Sequence, residues 1–375
     1  MKLSLKNMSI VLALLISINQ GVLASNVLDN EKTNVSETYI NESNLVEEKD
    51  ANLDSSDSKS VEEDKKENKK YIVSRIEGRD RYETAINASN MLMNAEIAVI
   101  ASGENFADAL FGGPLASQVN GPMLLTSKDS LPNGLLEKLK ELKVKTIYLL
   151  GGENSISKDI EDILIKNGYG TIRLSGDDRF DTASKINYTA GLLRGSRVLG
   201  DTTCLFANPF KFADALTAAP LGYLMEQNGI ASRFFPYDAN SNNVRDIDIV
   251  VGGQDSIPKG EEKERIEGKD RFETAIKIAE RYKEILENKK EIKLSRLILV
   301  NALNYPDALA AAPIATSENA VILLTNPNKL NEDVKKFIVN NDIEVVTILG
   351  GESSISKEVE EEVKSIKPLS FEATK

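Results

Sequence analysis

Three pairs of arginines, Arg75 and Arg81, Arg173 and Arg179, Arg265 and Arg271, recur beside aspartate and glutamate in an otherwise acidic chain. A guanidinium is planar and always charged, and it can hold a phosphate through two parallel hydrogen bonds. Recurring arginines are therefore the physical route by which an acidic chain grips an anionic polymer. The same groups could instead close ion pairs with the neighbouring carboxylates, and the sequence leaves both roles open. A recurring acid, Asp108, Asp214 and Asp307, falls just past a loop at a helix start, where a carboxylate favours the helix dipole and a catalytic acid is the rival role. Histidine is absent and Cys204 is the one cysteine, which removes Ser-His-Asp and Cys-His catalysis, HExxH zinc chemistry, histidine switching and any disulfide within the chain. Carboxylates alone would suit calcium or magnesium, but no Asp-rich calcium loop is present, so neither metal nor cofactor is expected. With 46 basic against 58 acidic residues and a net charge of −12, wholesale nucleic-acid binding is not expected either.

These residues sit in blocks that repeat. RIEGRDRYETA from Arg75, RLSGDDRFDTA from Arg173 and RIEGKDRFETA from Arg265 each open a unit. NFADALFGGP from Asn105, KFADALTAAP from Lys211 and NYPDALAAAP from Asn304 follow, and LLGGENSIS, VVGGQDSIP and ILGGESSIS close the units. The openings lie 98 and 92 residues apart, a period too long for a solenoid and suited to a small domain used three times.

The elements that must position them alternate. Asp80 with Glu83, Asp178 with Asp181 and Asp270 with Glu273 have the form of a capping box and predict helix starts. IAVIAS, GPMLLTS and KTIYLLGG read as strands, separated by helix-like stretches such as GLLEKLKEL. The strands are near-continuous apolar runs, which predicts a parallel sheet covered on both faces, with ligands at the carboxyl ends of the strands. Twin glycines beginning at Gly151, Gly252 and Gly350 suit tight strand exits, where exposed N–H groups could also hold an anion.

Residues 1–24 carry Lys2 and Lys6, an apolar run from Met8 to Ile18 and small residues before Ala24, the pattern of a cleaved secretory signal too short to span a bilayer. Residues 25–70 are an acidic, polar spacer with nothing to bury, expected to be disordered. No membrane association is expected after signal removal, and the chain is expected to be secreted to the cell wall or cell surface. An exported chain with one cysteine suits a Gram-positive surface.

The three blocks, R-I-x-G-x-D-R-[YF]-[ED]-T-A, [NK]-[FY]-x-D-A-L and [LV]-G-G-x-x-S-I, resemble the cell-wall-binding repeat 2 family of clostridial and other Gram-positive surface proteins. The resemblance covers about Ile72 to Ile366 and implies three Rossmann- or toprim-like α/β units around a pseudo-threefold axis. It divides the chain into repeat one over 71–170, a degenerate repeat two over 171–262 and repeat three over 263–375. It also implies non-covalent anchoring to an anionic secondary wall polysaccharide, with other surface-layer proteins as further partners, and no separate effector domain is evident. An apolar anchoring strand of that family maps onto Pro122, Met123, Leu124 and Leu125 and onto Val321, Ile322, Leu323 and Leu324. In repeat two its place falls on Ile230 to Arg233, where the pattern is lost, followed by FFPYDANSNN where a helix is expected. Repeat two is accordingly expected to bind weakly or only to complete the trimer. The expected contact set is those eight strand residues with Arg81, Arg179 and Arg271, although an apolar run of this kind also reads as buried core. The protein is not expected to be an enzyme; a surface adhesin, or a wall-modifying hydrolase using Asp108 and its equivalents, is the alternative.

Overall fold

The computed structural model describes residues 71–194, 203–230, 233–239, 244–245 and 248–366, so the signal and spacer expected over 1–70 lie outside the described residues. In chain order, β1 (Ile72–Ile76) and α1 (Arg81–Ala88) precede β2 (Ile97–Ser102), α2 (Phe106–Leu110), α3 (Gly113–Gln118) and β3 (Met123–Thr126). Next come α4 (Leu135–Glu141), β4 (Thr146–Leu150), α5 (Lys158–Lys166), β5 (Gly170–Leu174) and α6 (Arg179–Leu193). The middle region holds β6 (Cys204–Ala207), α7 (Phe212–Gln227), β7 (Arg233–Pro236), β8 (Ile249–Val251) and β9 (Glu264–Ile266). The last region holds α8 (Arg271–Lys290), β10 (Arg296–Asn301), α9 (Ala311–Ser317), β11 (Val321–Thr325), α10 (Glu332–Asn340), β12 (Val345–Leu349) and α11 (Lys357–Lys364).

The strands form three sheets of four, ordered β3-β2-β4-β5, β7-β6-β8-β9 and β11-β10-β12-β1, and their pairings are parallel. Both faces of such a sheet are covered, and successive side chains serve opposite faces. In the first sheet Ala98, Ile100, Leu124, Ile147 and Leu149 pack outward against α4 and α5 residues such as Leu139 and Ile160. Val99, Ala101, Met123, Leu125, Tyr148 and Leu150 face the other way, into an apolar core that continues through all three units.

Each sheet takes its fourth strand from the opening block of a repeat: β5 carries Arg173, β9 carries Arg265 and β1 carries Arg75. Repeats and sheets are thus offset by one strand. The first repeat lends its strand to the third sheet, with Ile72 opposite Val345 and Ile76 opposite Leu349, and this closes the ring of units.

At the centre of the ring the equivalent helices α3, α7 and α9 meet at equivalent residues. A Cβ at Gly113 would lie 2.8 Å from the Cβ of Ala312 and 3.3 Å from that of Ala219. The run of small residues before each proline is therefore what lets three helices approach one axis. Ser117 and Thr316 add an oxygen–oxygen hydrogen bond of 2.9 Å across it, and Gln227 donates to Gln118 at 2.9 Å. Adding one methyl there should be felt: Gly113→Ala is expected to lower unfolding stability by about 1–3 kcal/mol through overpacking. Ala312→Gly in the same chain should recover part of that loss in urea unfolding.

The middle unit departs from its neighbours, though differently from the sequence count. Its third strand is present but lies at Arg233–Pro236, not at Ile230–Arg233. The cause is α7, which runs unbroken through Pro220 to Gln227, whereas α3 ends at Gln118, nearer its own proline Pro114. Phe234 is fully buried on that strand, and its ring centroid is 5.1 Å from that of Phe111 in the first unit. Among the described residues between β7 and β8 no helix matches α4 or α10.

Candidate site at the carboxyl ends of the strands

Most of the opening block proves to be scaffold. Asp80, Asp178 and Asp270 cap α1, α6 and α8, each accepting from two backbone N–H groups of its helix. The threonine four residues on completes the loop. Thr84, Thr182 and Thr274 accept from the N–H of Gly78, Gly176 and Gly268 at 3.1, 2.9 and 3.0 Å. A side chain on Gly78 would strike the Thr84 backbone nitrogen at 2.4 Å, so this turn needs glycine.

The first arginine of each pair is also internal. Arg173 pairs with Glu161 at 3.0 Å and donates to the carbonyls of Gly151 and Ile156, both at 2.9 Å. Arg265 does the same with Glu262, Gly252 and Ile257, and Arg75 with Glu360, Gly350 and Ile355. Their side chains are only 10–13% exposed. The ion-pair role left open by the sequence is therefore the one these three take: each staples the glycine-rich strand exit to the adjoining strand.

That exit turn meets the recurring aspartate. Gly151, Gly252 and Gly350 have φ of +100°, +109° and +122°, and a Cβ there would touch a carboxylate oxygen of Asp108, Asp214 and Asp307 respectively. Glycine is required twice over, by the left-handed backbone and by the close carboxylate. Ser155 donates to Asp108 at 3.0 Å. Burial pushes the carboxyl of Asp108 above its usual range, against Ser155 and the positive charge of Arg179. Burial likewise raises Asp214, against Lys211 and Arg271.

The second arginines lie at the seams between units, each at the start of a helix. Arg81 Nη1 donates to the Gly103 carbonyl and Arg271 Nη1 to the Ala302 carbonyl, both at 2.6 Å. Arg179 instead lies over the ring of Phe210, 4.6 Å from its centroid. Arg81 and Arg179 are half-buried and Arg271 is exposed, so this set keeps surface to offer. The apolar half of the expected contact set does not. Pro122, Met123, Leu124 and Leu125, with Val321, Ile322, Leu323 and Leu324, are buried in β3, β11 and the approach to β3. β3 and β11 are edge strands of their sheets, yet both of their faces are covered and these eight side chains are buried.

The carboxyl ends of the strands open into clefts, and of the seam arginines Arg271 lines one. That of the middle unit measures about 610 Å³, between the loop after β6 (Phe210 to Asp214), the exit after β8 (Gly253 to Ser256) and the approach to α8 (Glu267 to Arg271). In the first unit a cleft of about 330 Å³ lies between Arg79, Asp80, Tyr82 and Glu83 and the loop from Ser127 to Asn133. Phe210 is the functional candidate that sequence reasoning passed over. It occupies the rim position filled by Glu104 and Leu303 in the other units, and only alignment of the three blocks could have flagged it.

The sequence profile of Cell wall binding domain 2 (CWB2) matches residues 75–161, 173–262 and 265–360. The chain belongs to this family. It is similar to the N-acetylmuramoyl-L-alanine amidase LytC of Bacillus subtilis, 29% identical over 308 residues that cover 78% of this chain and 58% of that protein. It is also similar to the amidase enhancer of the same organism, 28% identical over 77% of this chain and 40% of the relative. The chain thus spans about half the length of the curated relatives it matches. Among solved structures its fold is shared with Cwp6 from Clostridium difficile, at TM-score 0.66 and 21% identity over 84% of this chain and 51% of that one. Cwp8 from the same organism gives TM-score 0.62 and 24% identity over 78% of this chain and 51% of its own. A CWB2 chain binds cell wall, which puts its place of action at the wall or cell surface. Among the described residues no helix is long and apolar enough to cross a membrane.

Proposed function

We propose that this CWB2 chain is secreted and anchors itself non-covalently to a Gram-positive wall by gripping an anionic secondary wall polysaccharide at three linked sites. The observation that carries this reading is the repetition: one seam arginine with surface to offer, at the carboxyl ends of the strands, in each of three units. Individually weak contacts on linked units multiply through effective concentration, so a repeating polymer is held without any one tight site. Binding rather than catalysis fits the candidate acids. They are triplicated, and Asp108 and Asp214 are buried against the exit turns they support. Other surface-layer proteins are partners compatible with the same attachment.

The test replaces Arg81, Arg179 and Arg271 together by Gln and follows co-sedimentation with wall sacculi before and after the secondary polysaccharide is stripped. Wall affinity is expected to fall at least about tenfold, with a weaker salt dependence, since phosphate–guanidinium contacts are screened by salt. The matching Lys variants keep the charge but not the bidentate fork and should recover only part of the binding. Undiminished pelleting of a folded Gln variant would remove the arginines from the site.

A further inference from the structure

We infer that the middle unit, although the most divergent in sequence, holds the main carbohydrate contact, with an uncharged pyranose ring of the wall polysaccharide lying on the exposed face of Phe210. This inference rests on the wall-polysaccharide reading above and deepens it to a residue and a type of contact.

Phe210 is 62% exposed at the rim of the 610 Å³ cleft. Its ring is held: the Arg179 guanidinium lies 4.6 Å from its centroid and the Phe180 ring meets it edge-on at 6.3 Å. The braced ring presents an open apolar face, area that a ligand could cover. What covers it is indicated by the rest of the lining. Four carboxylates (Asp214, Asp255, Glu267 and Asp270) face three cations (Lys211, Lys269 and Arg271) in the same cleft. Arg271 can meet a charged group at the edge of the cleft, and the remaining acceptors and donors match the hydroxyls of a sugar. A pyranose also has an apolar face of C–H groups, slightly positive, which suits the negative face of an aromatic ring. At about 610 Å³ the cleft is within the roughly 300–1,000 Å³ range of small-ligand sites. Glu104 and Leu303 stand where Phe210 does, so neither of the other units has an aromatic ring at this rim position.

The division of labour is then that seam arginines meet charged groups of the polymer, while Phe210 meets a ring between them. The purified protein, Phe210→Ala and Phe210→Tyr are compared in co-sedimentation with intact and polysaccharide-stripped sacculi, at low and at about 0.5 M salt. Phe210→Ala is expected to raise the half-saturating wall concentration about three- to tenfold, the worth of one aromatic contact. The deficit should be the same at both salt levels, and Phe210→Tyr should bind as the parent does. Because the side chain is exposed, thermal melting should be unchanged in both variants. Equal binding by Phe210→Ala, while the parent still pellets with intact walls, overturns the inference and leaves the anchoring reading standing. So does a deficit that vanishes at high salt, which would mark a charge effect transmitted through Arg179, and so does an equal deficit on stripped walls, which would assign the ring to peptidoglycan. Failure of the parent itself to pellet overturns both.

Discussion

Arg173→Ala should lower the stability of the folded chain by about 1–3 kcal/mol, because it removes a largely buried donor to Glu161 and two carbonyls, although Lys158 Nζ still faces Glu161 at 3.2 Å. Glu161, its side chain 13% exposed, would lose its guanidinium, and the carbonyls of Gly151 and Ile156 would lose their donor. Those carbonyls belong to the exit turn that seats the Asp108 carboxylate, so the damage reaches the cleft. Arg173→Lys keeps a charge but not the fork that reaches a carboxylate and two carbonyls at once, and should recover only part of the loss. Urea unfolding of the three proteins measures this. An Arg173→Ala loss below about 1 kcal/mol would mean that the staple is ornamental and would reopen a binding role for that arginine.

A larger loss is expected from removing β1. A chain beginning at Glu77 lacks the strand that pairs with β12 over five residues, and with it Arg75, which holds Glu360 and the carbonyls of Gly350 and Ile355. Relative to a chain beginning at Tyr71, the cost should exceed the about 1–3 kcal/mol of the Arg75 staple alone, whose partner Glu360 is also held by Lys364. Hydrogen exchange localises it: protection should fall first in β12 and then in β10, the strand on the other side of β12. Uniform or unchanged protection would show that the third sheet stands without the strand it borrows.

What the sequence disclosed follows how local each cause is. The caps at Asp80, Asp178 and Asp270 close over two or three residues, so chemistry and spacing sufficed to read them. The parallel sheets were legible because apolar runs alternate with amphipathic helices, and the blocks themselves were legible as a threefold pattern. The role of Arg75 was not, since its partner Glu360 is 285 residues away and is brought close only by ring closure. Nor was the third strand of the middle unit, displaced because α7 extends to Gln227. Counting from Pro220 assumed equal helix lengths, and FFP looked like loop because its proline ends the strand. The apolar strands mapped from the family resemblance are among the most buried residues although they lie at the edges of their sheets, because both of their faces are covered. Phe210 has no periodic or motif signature; its meaning lies in being the exception among three equivalent rims.

The strand borrowed across the ring also sets a clock. β1 emerges first from the ribosome, but its partner β12 begins only at Val345, so the third sheet waits for almost the whole chain. Contacts of that sequence separation form late and slowly. The first two sheets draw only on segments already made, whereas the last joins a beginning to an end.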